Sequence, residues 1–211
     1  MRSSERARDL GEVFTPPALV SEILSKIEDI NYASKFLEPG CGNGNFLEVI
    51  LENKLSQVMA LPEVITSLKS KDYDELECKS ILALASIYGI DIDELNVEEA
   101  RERLLDVYKA WYGKVSTQEL PDYLESAVLY VLSRNIIQGD LLGDTSKVHI
   151  VEFSELAGRR IKQLVFRFKD LIFPEDEVFE DNDMLFGHVP QHIHDLPIVH
   201  YKNLGRSDDN S

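Results

Sequence analysis

The chain has 211 residues, which is enough for one domain with a substantial core. Its 38 acidic and 22 basic residues give a formal net charge of −16. This charge disfavours unassisted binding to nucleic-acid phosphates and favours a basic partner. No apolar run approaches the roughly 20 residues that cross a bilayer, and the charged N-terminal sequence lacks the apolar stretch of a secretory leader. We therefore expect a cytoplasmic protein with no membrane partner, whose two cysteines are reduced thiols.

Apolar periodicity predicts the first helices and strands on either side of a glycine-rich segment. Thr15 and the two prolines after it predict a helix start, and an apolar stripe continues this helix to about residue 30. A strand is predicted near 35–38 and a helix over 45–55. Residues 56–80 exceed the roughly 2–6 residues of typical connections in α/β units, so we expect them to form an irregular, partly helical insertion.

Strands and helices continue to alternate after this insertion. The predicted elements are strands at 86–91 and 135–140 and helices at 95–111 and 123–132. Such alternation predicts a parallel, doubly wound sheet, in which ligands bind at the carboxyl ends of the strands. Two β-rich segments, 149–153 and 163–168, then predict an antiparallel hairpin. We expect 1–173 to form the domain and 174–211 to be an acidic linker and an irregular C-terminal tail.

The segment 36–46, with the sequence FLEPGCGNGNF, combines a strand end, a glycine turn and a helix start. Glycines at Gly40, Gly42 and Gly44 permit positive φ and let a ligand lie against bare main chain. The carboxylate of Glu38 would repel the phosphate that such turns otherwise bind. It suits a cationic or hydroxyl-bearing ligand instead, and S-adenosylmethionine carries an ammonium, a sulfonium and a ribose diol.

Each of the three predicted parallel strands ends in an acid, namely Glu38, Asp91 and Asp140. Because the carboxyl ends of parallel strands share one edge of a sheet, we expect these carboxylates to lie together. Two residues, Glu38 and Thr15, have an alternative role. Glu38 could cap the following helix, and Thr15 could be a helix cap, a ligand contact or both. Cys41 is expected to fill the turn rather than act as a nucleophile, because no activating base stands beside it.

The order of these motifs resembles that of the S-adenosylmethionine-dependent N6-adenine DNA methyltransferases, of the modification-subunit type in bacterial restriction–modification systems. The matching segments are GEVFTPPALV at 11–20, the glycine segment at 36–46, IYGIDID at 87–93 and NIIQGDLL at 135–142. Four motifs in family order are more specific than a lone glycine loop. The resemblance implies a Rossmann-like, doubly wound class I methyltransferase fold, here with a truncated sheet and a C-terminal β-hairpin.

The resemblance also implies which residues hold the methionine half of the cofactor. Thr15 would contact the methionine carboxylate. Glu38 would pair with the methionine ammonium. Pro39 and the main chain at Gly40 and Gly42 would also hold the methionine moiety.

A second set of residues would hold the adenosine half. By the same resemblance, Asp91 would accept hydrogen bonds from the ribose hydroxyls, and Ile92 would lie on the adenine face. Asp140 would accept a hydrogen bond from the adenine amino group, with Leu141 packed nearby.

The family's catalytic tetrapeptide is absent from the sequence. This motif, Asp/Asn/Ser-Pro-Pro followed by an aromatic residue, holds the target amino group and stacks on the flipped base. The chain's single Pro-Pro pair is Pro16-Pro17, which precedes the glycine segment. The catalytic residues therefore stay unassigned. A basic cluster is explained equally by DNA contact and by a solvated strand face; its members are Arg159, Arg160, Lys162, Arg167 and Lys169.

These observations predict an S-adenosylmethionine-binding, adenine-N6 DNA methyltransferase-like protein that acts alone or with a protein partner, which would then supply DNA binding and the base pocket. The alternative is a catalytically inactive, cofactor-binding regulatory or structural subunit. A protein or small-molecule methyl acceptor is a third reading that no residue identifies. Four histidines lie near the C-terminus with Asp195 among them, but a metal site needs ligands fixed in geometry, and we expect none here. These histidines are His188, His192, His194 and His200.

Overall fold

The computed structural model describes residues 17–27, 30–172 and 192–206. Thr15 and the predicted linker at 174–183 lie outside these ranges. Within the described residues the chain forms seven α-helices and two three-stranded sheets. None of the described helices is long and apolar enough to cross a bilayer.

Helices and parallel strands alternate in the first part of the chain. They are α1 Pro17–Ser25, β1 Phe36–Pro39, α2 Asn45–Met59, α3 Pro62–Lys69, α4 Asp74–Ala85, β2 Ile87–Asp91, α5 Glu94–Ser116, α6 Asp122–Asn135 and β3 Ile136–Gln138. The second part is mainly antiparallel and consists of β4 His149–Leu156, β5 Arg160–Arg167, α7 Phe168–Ile172 and β6 His194–His200. The fold is therefore mixed α/β.

The parallel sheet has the strand order β1-β2-β3. Glu38 lies opposite Gly89 across the β1–β2 pair, and Asp91 lies opposite Gln138 across the β2–β3 pair. All three strands run in the same direction, so their carboxyl ends meet at one edge. We call this the carboxyl edge: the ends of β1, β2 and β3 with the residues that directly follow them.

The two faces of the parallel sheet are covered by different kinds of structure. On one face, helix α2 packs closely against Gly89. A Cβ on Gly89 would lie only 2.7 Å from Leu47 Cδ1. On the other face Tyr88 packs with Ile150 and Phe166 of the antiparallel sheet. A doubly wound sheet carries helices on both faces. In the described ranges the second face carries strands instead, because the chain turns antiparallel after β3.

The segment 56–80 is helical, as expected in part, but the expectation that it is irregular is wrong. Most of this segment is helical, since it comprises the end of α2, all of α3 and the first half of α4. Val58, Val64 and Leu76 are fully buried in a small apolar cluster that joins these three helices. The segment is longer than a single connection because it consists of amphipathic helices joined by short turns.

The expectation of an irregular C-terminal tail is also wrong for the described residues 192–206. Strand β6 pairs antiparallel with β5, so the predicted hairpin becomes a three-stranded sheet. Tyr201 and Leu204, which follow β6, are fully buried. The Tyr201 hydroxyl donates to the buried Glu77 carboxylate at 2.8 Å, which attaches this segment to α4.

Candidate functional site

Backbone hydrogen bonds join the ends of the three parallel strands. The amides of Gly40 and Cys41 both donate to the Ile90 carbonyl, at 2.7 and 2.9 Å. The Gly139 amide donates to the Asp91 carbonyl at 2.9 Å. These bonds place the residues that follow β1 and β3 on either side of the end of β2. Glu38, Asp91 and Asp140 thus lie along the carboxyl edge, as the alternation of strands and helices predicts.

The turn at 40–44, which we call the glycine turn, requires glycine at three positions. Gly40, Gly42 and Gly44 have φ values of +98°, +52° and +83°, a region that favours glycine. A Cβ at Gly40 or Gly42 would meet no atom of the described residues within 4 Å, so they leave this side of the turn open. A Cβ at Gly44 would lie 3.0 Å from the Cα and Cβ of Ala100, so here glycine also allows α5 to approach.

Asp91 connects the glycine turn to the end of β2. Its Oδ2 accepts a hydrogen bond from the Gly42 amide at 2.8 Å. Its Oδ1 accepts from the Asp93 amide at 2.9 Å and from Asn96 Nδ2 at 3.2 Å. Each carboxylate oxygen offers about two lone-pair sites, so Oδ2 keeps capacity for a ligand hydroxyl. Asn96 was not predicted from the sequence; its only signal there is a polar residue four positions before Ala100, on the apolar side of the predicted helix.

Glu38 is a half-buried carboxylate at the end of β1, and burial raises its pKa. No described residue forms a hydrogen bond or ion pair with it. The alternative that it caps α2 is wrong, because Gly44 occupies the capping position and no side chain there bonds to the first turn. A partly desolvated carboxylate favours a cation in its vicinity.

The Cys41 thiol is buried in the glycine turn. Burial first, and then the charges of Asp91 and Glu38, raise its pKa to about 12. The thiol is therefore uncharged at neutral pH and cannot serve as a nucleophile. As predicted, Cys41 fills the turn, where it lies 3.0 Å from the position of a Cβ on Gly89. Cys41 and Cys78 are both free and buried.

Asp140 closes a tight turn after β3. Its Oδ1 accepts hydrogen bonds from the amides of Leu142 and Gly143, at 3.0 and 2.9 Å, and its side chain is exposed. Leu141 packs against the apolar cluster below the edge. Ile92 is 60% exposed, which leaves an apolar surface between the ends of β2 and β3. Pro39, at the end of β1, is also exposed.

The histidines among the described residues do not form a metal-binding cluster. His192 Nε2 lies 2.6 Å from Asp195 Oδ1, and its ring contacts Phe166. His188 lies outside the described residues. Within them, no group of three histidine, cysteine or acidic side chains is arranged to hold a metal ion.

Two members of the predicted basic cluster form ion pairs. Arg159 pairs with Glu75 at 2.9 Å and with Asp74 at 3.4 Å. Arg167 pairs with Asp170 at 2.7 Å. The Arg159 pairs join the β4–β5 turn to the start of α4, so a structural role accounts for this arginine.

Comparison with models of known protein families finds no match to this chain. Comparisons with curated proteins and with solved structures also find no match.

Proposed function

We propose that this chain binds S-adenosylmethionine at the carboxyl edge. The observation that carries the proposal is the half-buried Glu38 carboxylate beside the open side of the glycine turn. The ammonium of the methionine moiety would lie near Glu38, where it would offset the cost of burying that charge. The main chain at Gly40 and Gly42 would contact the rest of the methionine moiety, because no side chain of the described residues occupies that space.

Asp91 and Asp140 support an adenosyl ligand. The spare lone pair of Asp91 Oδ2 suits a ribose hydroxyl, and the exposed Ile92 offers an apolar surface for a base. Asp140 has an oxygen that neither turn amide uses, and it would accept the adenine amino group. Glu38, which lies beside the glycine turn, disfavours a phosphate at that turn.

For the reaction, we propose methyl transfer to adenine N6 in DNA, within a system of restriction–modification type. The support is the order of the four sequence motifs. The net charge of −16 argues that a basic partner subunit supplies the DNA contacts and the pocket for the flipped base.

A second candidate, cofactor binding without methyl transfer, is favoured by the direction of β4. Val148 packs with Ile90 near the carboxyl edge, whereas Glu152 pairs with Lys35, which precedes β1, at 2.8 Å. Strand β4 therefore runs away from the site. In the family that the sequence resembles, the catalytic tetrapeptide follows the fourth strand; here the turn after β4 lies at the opposite end of the sheet. A regulatory or structural subunit fits this arrangement.

Two measurements test the proposal and separate the candidates. Calorimetric titration should show binding of S-adenosylmethionine and no binding of ATP at the same concentration. Incubation with labelled cofactor and adenine-containing DNA, with and without candidate partner subunits, then measures methyl transfer. Transfer with any partner supports the enzyme, and binding without transfer supports the regulatory subunit. Absence of cofactor binding would contradict both.

A further inference from the structure

One face of α5 contacts both halves of the proposed site. Asn96, Ala100 and Arg103 are spaced i, i+4 and i+7, so they lie along one side of this helix. Asn96 donates to the Asp91 carboxylate. Ala100 meets Gly44 in the glycine turn. Neither Asn96 nor Arg103 follows a parallel strand, and the strand-end pattern does not predict them.

Arg103 contacts the glycine turn through the carbonyl of Asn43. Its Nε donates to the Asn43 carbonyl at 3.0 Å, and its Nη1 donates to Glu48 Oε2 at 2.8 Å. Asn43 lies between Gly42 and Gly44, so the guanidinium fixes the orientation of the peptide between them. The fork of a guanidinium can serve both acceptors at once, which the single ammonium of lysine does less well.

The glycine turn needs such external contacts to stay ordered. Glycine loses more conformational freedom on ordering than any other residue, and this turn has three glycines with positive φ within five positions. A ligand that binds the ordered turn must supply the ordering free energy unless the protein has already done so. The α5 contacts to the turn and to Asp91 are made without a ligand.

We propose that Arg103 and Asn96 are positioning residues, which hold the glycine turn and Asp91 in the geometry that binds the cofactor. This inference rests on the proposed function for its ligand. We also expect α5 to order the glycine turn in the free protein, and this expectation can be tested without the ligand.

The test combines cofactor affinity with amide hydrogen exchange at 40–44 in the free protein. Arg103→Ala should weaken S-adenosylmethionine binding about tenfold, which corresponds to ~1.4 kcal/mol, and should accelerate exchange in the turn. Asn96→Ala should also weaken binding and accelerate exchange in the turn, because Asp91 loses the hydrogen bond from Asn96. Arg103→Lys should restore part of the affinity.

The matched control is Glu102→Ala, which changes an exposed residue of α5. It should stay within about twofold of the wild-type affinity, as surface changes usually do.

Unchanged affinity and unchanged exchange in a folded Arg103→Ala protein would overturn the proposal. If that variant does not fold, Arg103→Gln, which keeps one donor, decides by the same two readouts. If the wild-type protein does not bind S-adenosylmethionine, the proposed function fails, and exchange at 40–44 alone decides whether Arg103 and Asn96 position the turn.

Discussion

The Gly42 amide donates a hydrogen bond to the Asp91 carboxylate at 2.8 Å, across 49 positions of sequence. This bond joins the turn after β1 to the end of β2, and it makes Asp91 a part of the fold as well as of the proposed site. The first prediction follows from this double role.

Asp91→Asn should lower both stability and cofactor affinity. The amide nitrogen of asparagine cannot accept hydrogen bonds, so either the Gly42 amide or the contacts to Oδ1 lose their acceptor. We expect a loss of about 1–3 kcal/mol in the free energy of unfolding, measured by urea denaturation. Asp144→Asn is the control, since Asp144 is exposed and bonds only within its own turn among the described residues. A fully stable Asp91→Asn protein would contradict the structural role.

Glu38→Gln should stabilise the protein at neutral pH while it weakens cofactor binding. Burial raises the pKa of Glu38, so the folded state favours the protonated form. Its favourable contribution is complete below the pKa of the unfolded chain and is lost as pH rises through the pKa of the folded state. The glutamine variant should therefore gain stability over wild type as pH increases from 4 to 7, in parallel denaturation curves. A gain that does not change with pH would contradict this explanation.

Lys54 should make stability rise with pH above neutrality. Its side chain is fully buried, and burial lowers its pKa to about 7. Its ammonium donates to the carbonyls of Tyr32, at 3.0 Å, and Ser34, and to Ser86 Oγ at 2.7 Å. Between the folded pKa and the ordinary lysine value, the unfolded chain binds more protons, so the free energy of unfolding increases with pH.

The variant Lys54→Met isolates this effect. It should flatten the rise in stability between about pH 7 and 10, and it should lower stability at pH 10 because two partly buried carbonyls lose a donor. Lys35→Met, at an exposed lysine, should leave the slope unchanged. An unchanged slope in Lys54→Met would show that the burial of this ammonium is offset by its hydrogen bonds.

Tyr201→Phe should detach the C-terminal segment from α4 in part. The Tyr201 hydroxyl donates to Glu77 at 2.8 Å and lies 3.2 Å from Asp74. Its loss leaves a buried carboxylate with one donor fewer, at a cost of about 1–3 kcal/mol. Hydrogen exchange should increase in β6. Tyr73→Phe is the control, since the Tyr73 hydroxyl makes a long bond of 3.5 Å.

The strand-end acids could be predicted because they depend on local sequence. Glu38 and Asp91 each follow a short apolar run, and parallel strands bring such ends together. Asn96 and Arg103 could not be predicted in the same way, because their contacts depend on how α5 packs against the glycine turn. The pairing of β6 was missed for a related reason: it depends on the distant β5, and Pro197 argues against a strand except at an edge.

The most direct measurement compares two ligands with wild type and Glu38→Gln by calorimetry at pH 7. S-adenosylmethionine carries the ammonium that we place near Glu38, whereas 5′-methylthioadenosine has the same nucleoside without the amino acid. We expect Glu38→Gln to weaken S-adenosylmethionine binding about tenfold and to leave 5′-methylthioadenosine binding unchanged. Equal effects on both ligands, or no binding of S-adenosylmethionine by the wild-type protein, would contradict this expectation.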